Sequence, residues 1–142
     1  PVNSMLSFAY TLLMYHVYTA VIMAGLDPSF GFLHTIADNR PALALDLMEE
    51  FRSLIADQVV IDLINHSMVS ENDFHSSDEG DYPILMNNDL RKKLIGKFEK
   101  RISTVILYNG DKITYRRVFE EQARALARAI KGIRPYEPFV QK

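Results

Sequence analysis

The first 26 residues contain no aspartate, glutamate, lysine or arginine. An uncharged stretch of this length is either a membrane span of about 20 residues or a helix in the centre of a folded domain. Polar side chains interrupt the stretch at Ser4, Ser7, Thr11, His16 and Thr19. Its aromatic residues are scattered, and Asp27 follows it where a membrane anchor is more often basic. We therefore expect a central core helix, apolar on nearly all sides, that ends at Gly25.

Length and composition agree with one compact intracellular domain. The chain has 142 residues, of which 48% are hydrophobic, enough for a sizeable core. It contains no cysteine, which excludes disulfides, zinc sites built from thiolates and cysteine nucleophiles. No secretory leader pattern is visible. Because the chain begins with Pro1 rather than Met, we expect it to be a piece of a longer protein.

Charge is distributed very unevenly along the chain. Residues 1–90 carry two basic and thirteen acidic side chains, a net charge of −11. Residues 91–142 carry fourteen basic and five acidic side chains, a net charge of +9. An acidic half can hold cations and a basic half can hold phosphates, although segregated surface charge is also common without function.

Apolar residues at helical spacing predict most of the remaining structure. The expected helices cover residues 41–56, 57–67, about 88–103 and 115–131. Between the last two, Asn109-Gly110 predicts the turn of a short hairpin. Near the ends of the second and fourth of these helices, the side chains expected to face inward include Ile64 and Ile130.

Three carboxylates mark the predicted helix over 41–56. Asp46, Glu49 and Glu50 follow the spacing i, i+3 and i+4, which predicts that all three lie on one helical face. His34 precedes them in a predicted loop. A histidine with such carboxylates can bind Mg²⁺ or Mn²⁺. Taken alone, however, this pattern is more often a solvated helix face beside a hydrogen-bonded buried histidine.

The sequence segments around these residues identify a protein family more specifically than the residue spacing does. The segment AGLDPSFGFLH is followed by RPALALDLMEEFR, the chain opens with PVNSMLSFAYTLL, and it closes with YRRVFEEQARALARAIKG and YEPF. Together these segments closely resemble the CRISPR adaptation integrases of the Cas1 family. The resemblance extends over nearly all of the chain.

The resemblance implies a fold and a metal site. It implies an all-α domain of five or six helices over residues 1–142, with an irregular tail at 132–142 and a β-rich N-terminal domain preceding it in the complete protein. His34 and Glu49 match two of the family's metal ligands, and Asp46 is the catalytic neighbour of Glu49. The family's third ligand, a glutamate, lies upstream of Pro1. We therefore expect this piece to be inactive alone.

The resemblance also implies a function. The family inserts short DNA fragments into the CRISPR array by phosphoryl transfer with Mg²⁺ or Mn²⁺, and it cuts branched DNA. The expected partners are DNA, a second copy of the protein and the small protein Cas2, in the cytoplasm and without a membrane. Basic side chains expected to contact DNA phosphates are Arg91, Lys92, Lys93, Lys97, Arg117, Arg124 and Arg128.

Two other classes of function fit the same residues. The chain can be a non-catalytic DNA-binding or assembly domain whose acidic face is structural. A metal-dependent hydrolase of small phosphoesters is a weaker alternative, since no substrate pocket can be inferred from the sequence. Tyr10, Tyr15 and Tyr18 can stack on DNA bases, but we expect them to pack in the core.

Overall fold

A computed structural model describes residues 1–28, 42–76 and 85–141. These ranges contain five α-helices, which confirms the all-α prediction: α1 (Val2–Met23), α2 (Ala42–Glu49), α3 (Gln58–Asn65), α4 (Asn88–Ile102) and α5 (Tyr115–Ile130). They also contain two small antiparallel ladders: β1 (Phe74–His75) with β2 (Leu85–Met86), and β3 (Val105–Tyr108) with β4 (Asp111–Thr114).

Helix α1 lies in the centre of this arrangement and contacts each of the other four helices. Its most deeply buried side chains recur every fourth residue, at Met5, Ala9, Leu13 and Val17. This stripe follows the side of a helix that faces a core. By length and composition alone α1 is also apolar enough to cross a membrane, but here it is the surface on which the other helices pack.

Helix α1 has one exposed side, although the sequence predicts a central core helix. Tyr15 is 67% exposed and Met23 is 67% exposed, and Tyr18 and Ile22 are also exposed. The helix is apolar all round, yet the four helices packed on it cover only part of its circumference. The expectation that the three tyrosines pack in the core therefore fails for Tyr15 and Tyr18.

The predicted helix over 41–56 is interrupted. Helix α2 ends at Glu49, and a π-helical segment over Arg52–Asp57 leads into α3. A side chain of another helix stabilises this π-helical segment: Arg101 of α4 donates its Nε–H to the carbonyl oxygen of Leu54 at 2.9 Å. At the break, the buried ring of Phe51 packs against Phe119 and Phe139, with ring centroids 4.7 and 5.2 Å away.

Local signals set the ends of α4 and α5. The side chains of Asn87 and Thr114 cap the two helices by accepting hydrogen bonds from backbone N–H groups three residues later. Between the helices, Asn109 and Gly110 take positive φ angles of 48° and 89°, as the predicted tight hairpin turn requires.

Two of the predicted inward-facing side chains point elsewhere. Ile64 is 44% exposed and Ile130 is 52% exposed. Each lies at the last turn of its helix, beyond the point where a neighbouring element covers it. Helical periodicity identifies the face of a helix, but it does not show where the core ends along the axis.

After α5 the chain turns at Gly132, which has a φ of 74°, and continues without regular structure to residue 141. This tail folds back over the domain. Phe139 stacks on Phe51, and the Tyr115 hydroxyl donates a hydrogen bond to Oε1 of Gln141 at 2.8 Å. The predicted irregular tail is therefore part of the packed structure.

Truncation of the buried stripe of α1 tests this packing. Leu13 is fully buried, so Leu13→Ala should lower the free energy of unfolding by about 2–5 kcal/mol. Tyr15→Ala, on the exposed side of the same helix, should change it by no more than about 0.5 kcal/mol. Urea denaturation followed by circular dichroism measures both. Equal losses would contradict the described orientation of α1.

Candidate functional site

The candidate metal site lies on α2. Asp46 and Glu49 are one helical turn apart on this helix; Asp46 is half-buried and the Glu49 side chain is 43% exposed. His34, the third residue predicted for the site, lies outside the described residues. Within the described ranges no cluster of three or more histidine or carboxylate side chains is close enough to hold a metal ion. The described part of the chain therefore brings together two of the three predicted residues.

Glu49 faces a small polar cluster. Its Oε1 lies 3.3 Å from Nη1 of Arg52, and the Arg52 guanidinium lies 5.2 Å from the centre of the Tyr10 ring. The Tyr10 hydroxyl donates a 2.7 Å hydrogen bond to Asp57, and this bond raises the pKa of Tyr10 above its ordinary value. Glu49 is thus accessible, and among the described residues its ion pair is with one exposed cation.

This donor set fits a hard divalent cation. Carboxylate oxygens are the ligands that Mg²⁺ and Mn²⁺ prefer, and Glu49 is open to solvent. The Arg52 side chain is 45% exposed, so it can leave Glu49 when another cation binds. An exposed ion pair of this kind contributes about 0–1 kcal/mol, which a metal–carboxylate bond easily exceeds.

The prediction that Glu50 shares a face with Asp46 and Glu49 is wrong. Because α2 ends at Glu49, the Glu50 carboxylate turns towards the tail. Its Oε1 accepts hydrogen bonds from Nε2 of Gln122 at 3.0 Å and from the backbone N–H of Phe139 at 2.7 Å. Its Oε2 accepts one from the Tyr136 hydroxyl at 2.5 Å. Glu50 joins α2 to α5 and the tail, and is not available as a ligand.

Burial controls the ionisation of this network. Desolvation raises the pKa of Glu50 above its ordinary value, against the opposing effect of its three donors. Desolvation and the hydrogen bond to Glu50 also raise the pKa of Tyr136 far above 10.0. Sequence patterns do not predict this network, because Gln122 and Tyr136 lie 72 and 86 positions from Glu50 along the chain.

An apolar groove of about 450 Å³ runs beside the candidate site, between α1 and α2. Leu45 and Met48 of α2 line this groove, and each directly precedes one of the two carboxylates in the sequence. Opposite them, α1 contributes the side chains of Tyr10, Thr11, Met14, Tyr15 and Tyr18. The carboxylates of α2 thus adjoin a surface with exposed aromatic rings.

The basic side chains predicted on α4 differ in their surroundings. Arg91 donates to Oδ1 of Asn88 at 3.2 Å, and Lys93 donates to the carbonyl oxygen of Met68 at 3.2 Å. Lys92 is exposed, Lys97 is half-buried, and neither has an ion pair within the described ranges. Most of this positive charge is therefore available to an anionic ligand.

The ridge on α5 is more strongly neutralised. Arg117 lies 3.4 Å from Glu120 and 3.2 Å from Glu121, and Arg124 lies 2.6 Å from Glu121. Arg128 has no ion pair in the part of the chain that the structure describes. Of the three arginines predicted to contact DNA on this helix, Arg128 is thus the one with uncompensated charge.

Comparison with known proteins places this geometry in a family. Residues 1–100 match the family described as CRISPR associated protein Cas1. A relative from Thermus thermophilus named CRISPR-associated endonuclease Cas1 3 is 46% identical over 143 residues, covering 98% of this chain and 42% of the relative. The chain therefore spans well under half the length of this relative.

Solved structures of other proteins have the same fold as this chain. A casposase bound to its integration product superposes with a TM-score of 0.89 and 27% identity, covering 100% of this chain and 42% of that one. A Cas6-RT-Cas1–Cas2 complex superposes with a TM-score of 0.85 and 26% identity, covering 100% of this chain and 16% of that one. The fold described above is thus found in proteins solved with an integration product and with Cas2.

The raised pKa of Glu50 predicts a specific dependence of stability on pH. The folded state binds the Glu50 proton more tightly than the unfolded state, so this residue makes unfolding easier as pH rises from about 4.5 through the folded-state pKa. In Glu50→Gln this contribution disappears, because the amide does not titrate. Urea denaturation of both proteins across this interval should give a smaller loss of stability for the variant.

A second variant separates charge from hydrogen bonding. A glutamine can accept from Gln122 and Phe139 with its carbonyl oxygen, and it can donate its amide to the Tyr136 oxygen. Glu50→Ala removes the acceptor of the Phe139 N–H and of the Tyr136 hydroxyl, and one of the acceptors of Gln122, and should cost about 1–3 kcal/mol at neutral pH. An alanine variant as stable as Glu50→Gln would contradict a structural role for this network.

Proposed function

This chain belongs to the Cas1 family of CRISPR-associated proteins, and from that membership we propose that the complete protein inserts short DNA into a CRISPR array. The reaction is a metal-dependent phosphoryl transfer in which the 3′-hydroxyl of the incoming DNA attacks a phosphodiester at a repeat boundary. One phosphodiester bond forms, another breaks, and the 3′-hydroxyl of the cut strand leaves. The observation that supports it best is the pair Asp46 and Glu49, one turn apart on a helix of the matching fold. Cutting of branched DNA uses the same groups.

His34 and Glu49 hold the cation in this proposal, and Asp46 orients it or a water bound to it. A glutamate upstream of Pro1 in the complete protein completes the ligand set. When bound, Mg²⁺ or Mn²⁺ polarises the scissile phosphate and stabilises the charge that develops on its oxygens. Histidine binds metals as the neutral imidazole, so acid competes with the metal at His34. With only part of the site, the chain alone should be inactive.

The surroundings of α2 suit a DNA substrate. The exposed rings of Tyr15 and Tyr18 offer a stacking surface of the kind that binds unpaired bases at a DNA end. The cations of α4, together with Arg128, can follow phosphates without reading sequence. The segregation of acidic and basic residues along the chain then separates the metal ligands from the groups that hold the DNA backbone.

The complete protein is expected to act as a homodimer bound to Cas2 in the cytoplasm. The support is the fold shared with a chain of the Cas6-RT-Cas1–Cas2 complex. A non-catalytic DNA-binding or assembly domain is the alternative function. It keeps the basic surfaces and gives Asp46 and Glu49 no chemical role.

Substitution of the proposed ligands distinguishes the two functions. In the complete protein, His34→Ala and Glu49→Gln should each reduce strand transfer into a repeat-bearing plasmid by at least about 100-fold. DNA affinity should change by less than about twofold, because neither side chain is a phosphate contact in this proposal. Glu71→Gln, which removes an exposed carboxylate outside α2, is the matched control and should retain activity.

Metal titration provides an independent readout. Calorimetry with Mn²⁺ should show tight binding by a protein extended upstream to include the third ligand, and weak binding by the 142-residue chain. His34→Ala should abolish the tight binding. Strand transfer that survives both ligand substitutions would favour the non-catalytic reading of this face. Turnover of a generic phosphodiester as fast as that of DNA would favour a hydrolase of small phosphoesters.

The salt dependence of DNA binding tests the basic surfaces. Lys92→Gln and Arg128→Gln should each weaken binding of a duplex, independently of sequence, and reduce the slope of log K against log [salt] by about 1. Arg124→Gln should have a smaller effect, since Glu121 already neutralises this arginine. Filter binding between low and moderate salt measures all three. Equal slopes for the unsubstituted protein and the three variants would contradict phosphate contacts at these positions.

A further inference from the structure

One cleft in the described structure is lined by no residue of α2. It has a volume of about 860 Å³ and is enclosed by the β3–β4 turn, the outer side of α5 and the tail from Arg134 to Val140. This volume falls within the range of about 300–1,000 Å³ that is typical of ligand sites. Neither Asp46 nor Glu49 lines it, so the proposed metal chemistry leaves the cleft without a role.

The cleft carries a net positive charge. Arg128 of α5 and Arg134 of the tail both line it, and neither side chain has an ion pair or hydrogen bond among the described residues. Glu137 also lines the cleft and opposes them. The net charge of these three side chains is positive, and two guanidinium groups can bind carboxylates through paired hydrogen bonds.

Apolar side chains stand exposed beside these charges. Leu107 of β3 is 70% exposed and Val140 of the tail is 72% exposed, and both line the cleft. Exposed apolar side chains grouped within a polar rim are typical of protein-binding surfaces. A phosphate backbone would be bound by the two arginines alone and would leave Leu107 and Val140 uncovered.

The walls of the cleft are fixed before any ligand arrives. At its floor, the Tyr108 hydroxyl donates to Oε1 of Gln122 at 2.7 Å, while Gln122 donates to the backbone oxygen of Glu137 at 3.2 Å. The tail is held further by the bond from Phe139 N–H to Glu50 and by the bond from Tyr115 to Gln141. A preorganised site loses little conformational entropy on binding.

From these observations we propose that the cleft binds an extended acidic peptide segment of a partner protein. Carboxylates of the segment pair with Arg128 and Arg134, and an apolar side chain between them covers Leu107 and Val140. The proposal is independent of the metal site, because it uses no residue assigned to catalysis. It shares Arg128 with the proposed DNA-binding surface, so a peptide in the cleft would compete with DNA for this side chain.

Fluorescence anisotropy with a labelled octapeptide of alternating aspartate and leucine tests the proposal on the 142-residue chain. Arg128→Gln and Arg134→Gln should each weaken binding about three- to tenfold, since each removes a partly exposed charge-assisted hydrogen bond. Leu107→Ser should weaken it about two- to fivefold through loss of apolar contact. Glu137→Gln should tighten it, because it removes the one opposing charge in the cleft. Lys100→Gln removes an equal, exposed charge on α4 outside the cleft and should leave the peptide affinity unchanged.

Two further probes identify the ligand class. An octapeptide of alternating aspartate and serine has the same charge without apolar side chains, and it should bind more weakly than the leucine peptide. Equal affinity of the two peptides, or no saturable binding, would overturn the proposal. It would also be overturned if single-stranded DNA bound more tightly than the leucine peptide, with sensitivity to Arg128→Gln and Arg134→Gln but not to Leu107→Ser, since the cleft would then be a phosphate site. Each substituted side chain is exposed, so circular dichroism should show unchanged folding.

Discussion

Burial of one side of α1 organises the described domain. The other four helices all contact this uncharged helix, so each of them buries its apolar side against α1. The helix that carries Asp46 and Glu49 packs against α1, and so does the helix that forms one wall of the arginine-lined cleft. Because the hydrophobic effect is non-directional, the buried stripe brings these elements together, while caps and hydrogen bonds fix their exact orientations.

The position at which α2 ends determines the different surroundings of Glu49 and Glu50. The two residues are neighbours with the same side chain, but one is 43% exposed beside an arginine and the other accepts hydrogen bonds from α5 and the tail. If α2 continued for another turn, both carboxylates would lie near Asp46 and would repel each other. Ending the helix at Glu49 separates a group suited to bind a cation from a group that holds the structure together.

Features encoded within a few residues could be predicted from the sequence. The cap at Asn87, the hairpin turn at Asn109-Gly110 and the buried side of α4 depend on local propensity and spacing, and the structure contains all three. The break after Glu49 could not be predicted, since it depends on Arg101 and Phe139, which are distant in the chain. The same reason applies to the exposure of Tyr15 and Ile130, because it depends on where neighbouring elements end. The pairing of Asp46 with Glu49 follows from helical spacing, whereas the metal role of His34 remains a prediction from family resemblance.

The contact between Glu50 and Phe139 also constrains the order in which the chain can fold. These two residues are 89 positions apart, and the Phe139 ring covers Phe51 at the same place. During synthesis, the Glu50 carboxylate must wait until Tyr136 and Phe139 have left the ribosome before it finds these donors. Contacts of such long range form late and slow the overall reaction. The helix with the candidate ligands can therefore form early, but the segment that follows it is secured only when the tail around Phe139 is available.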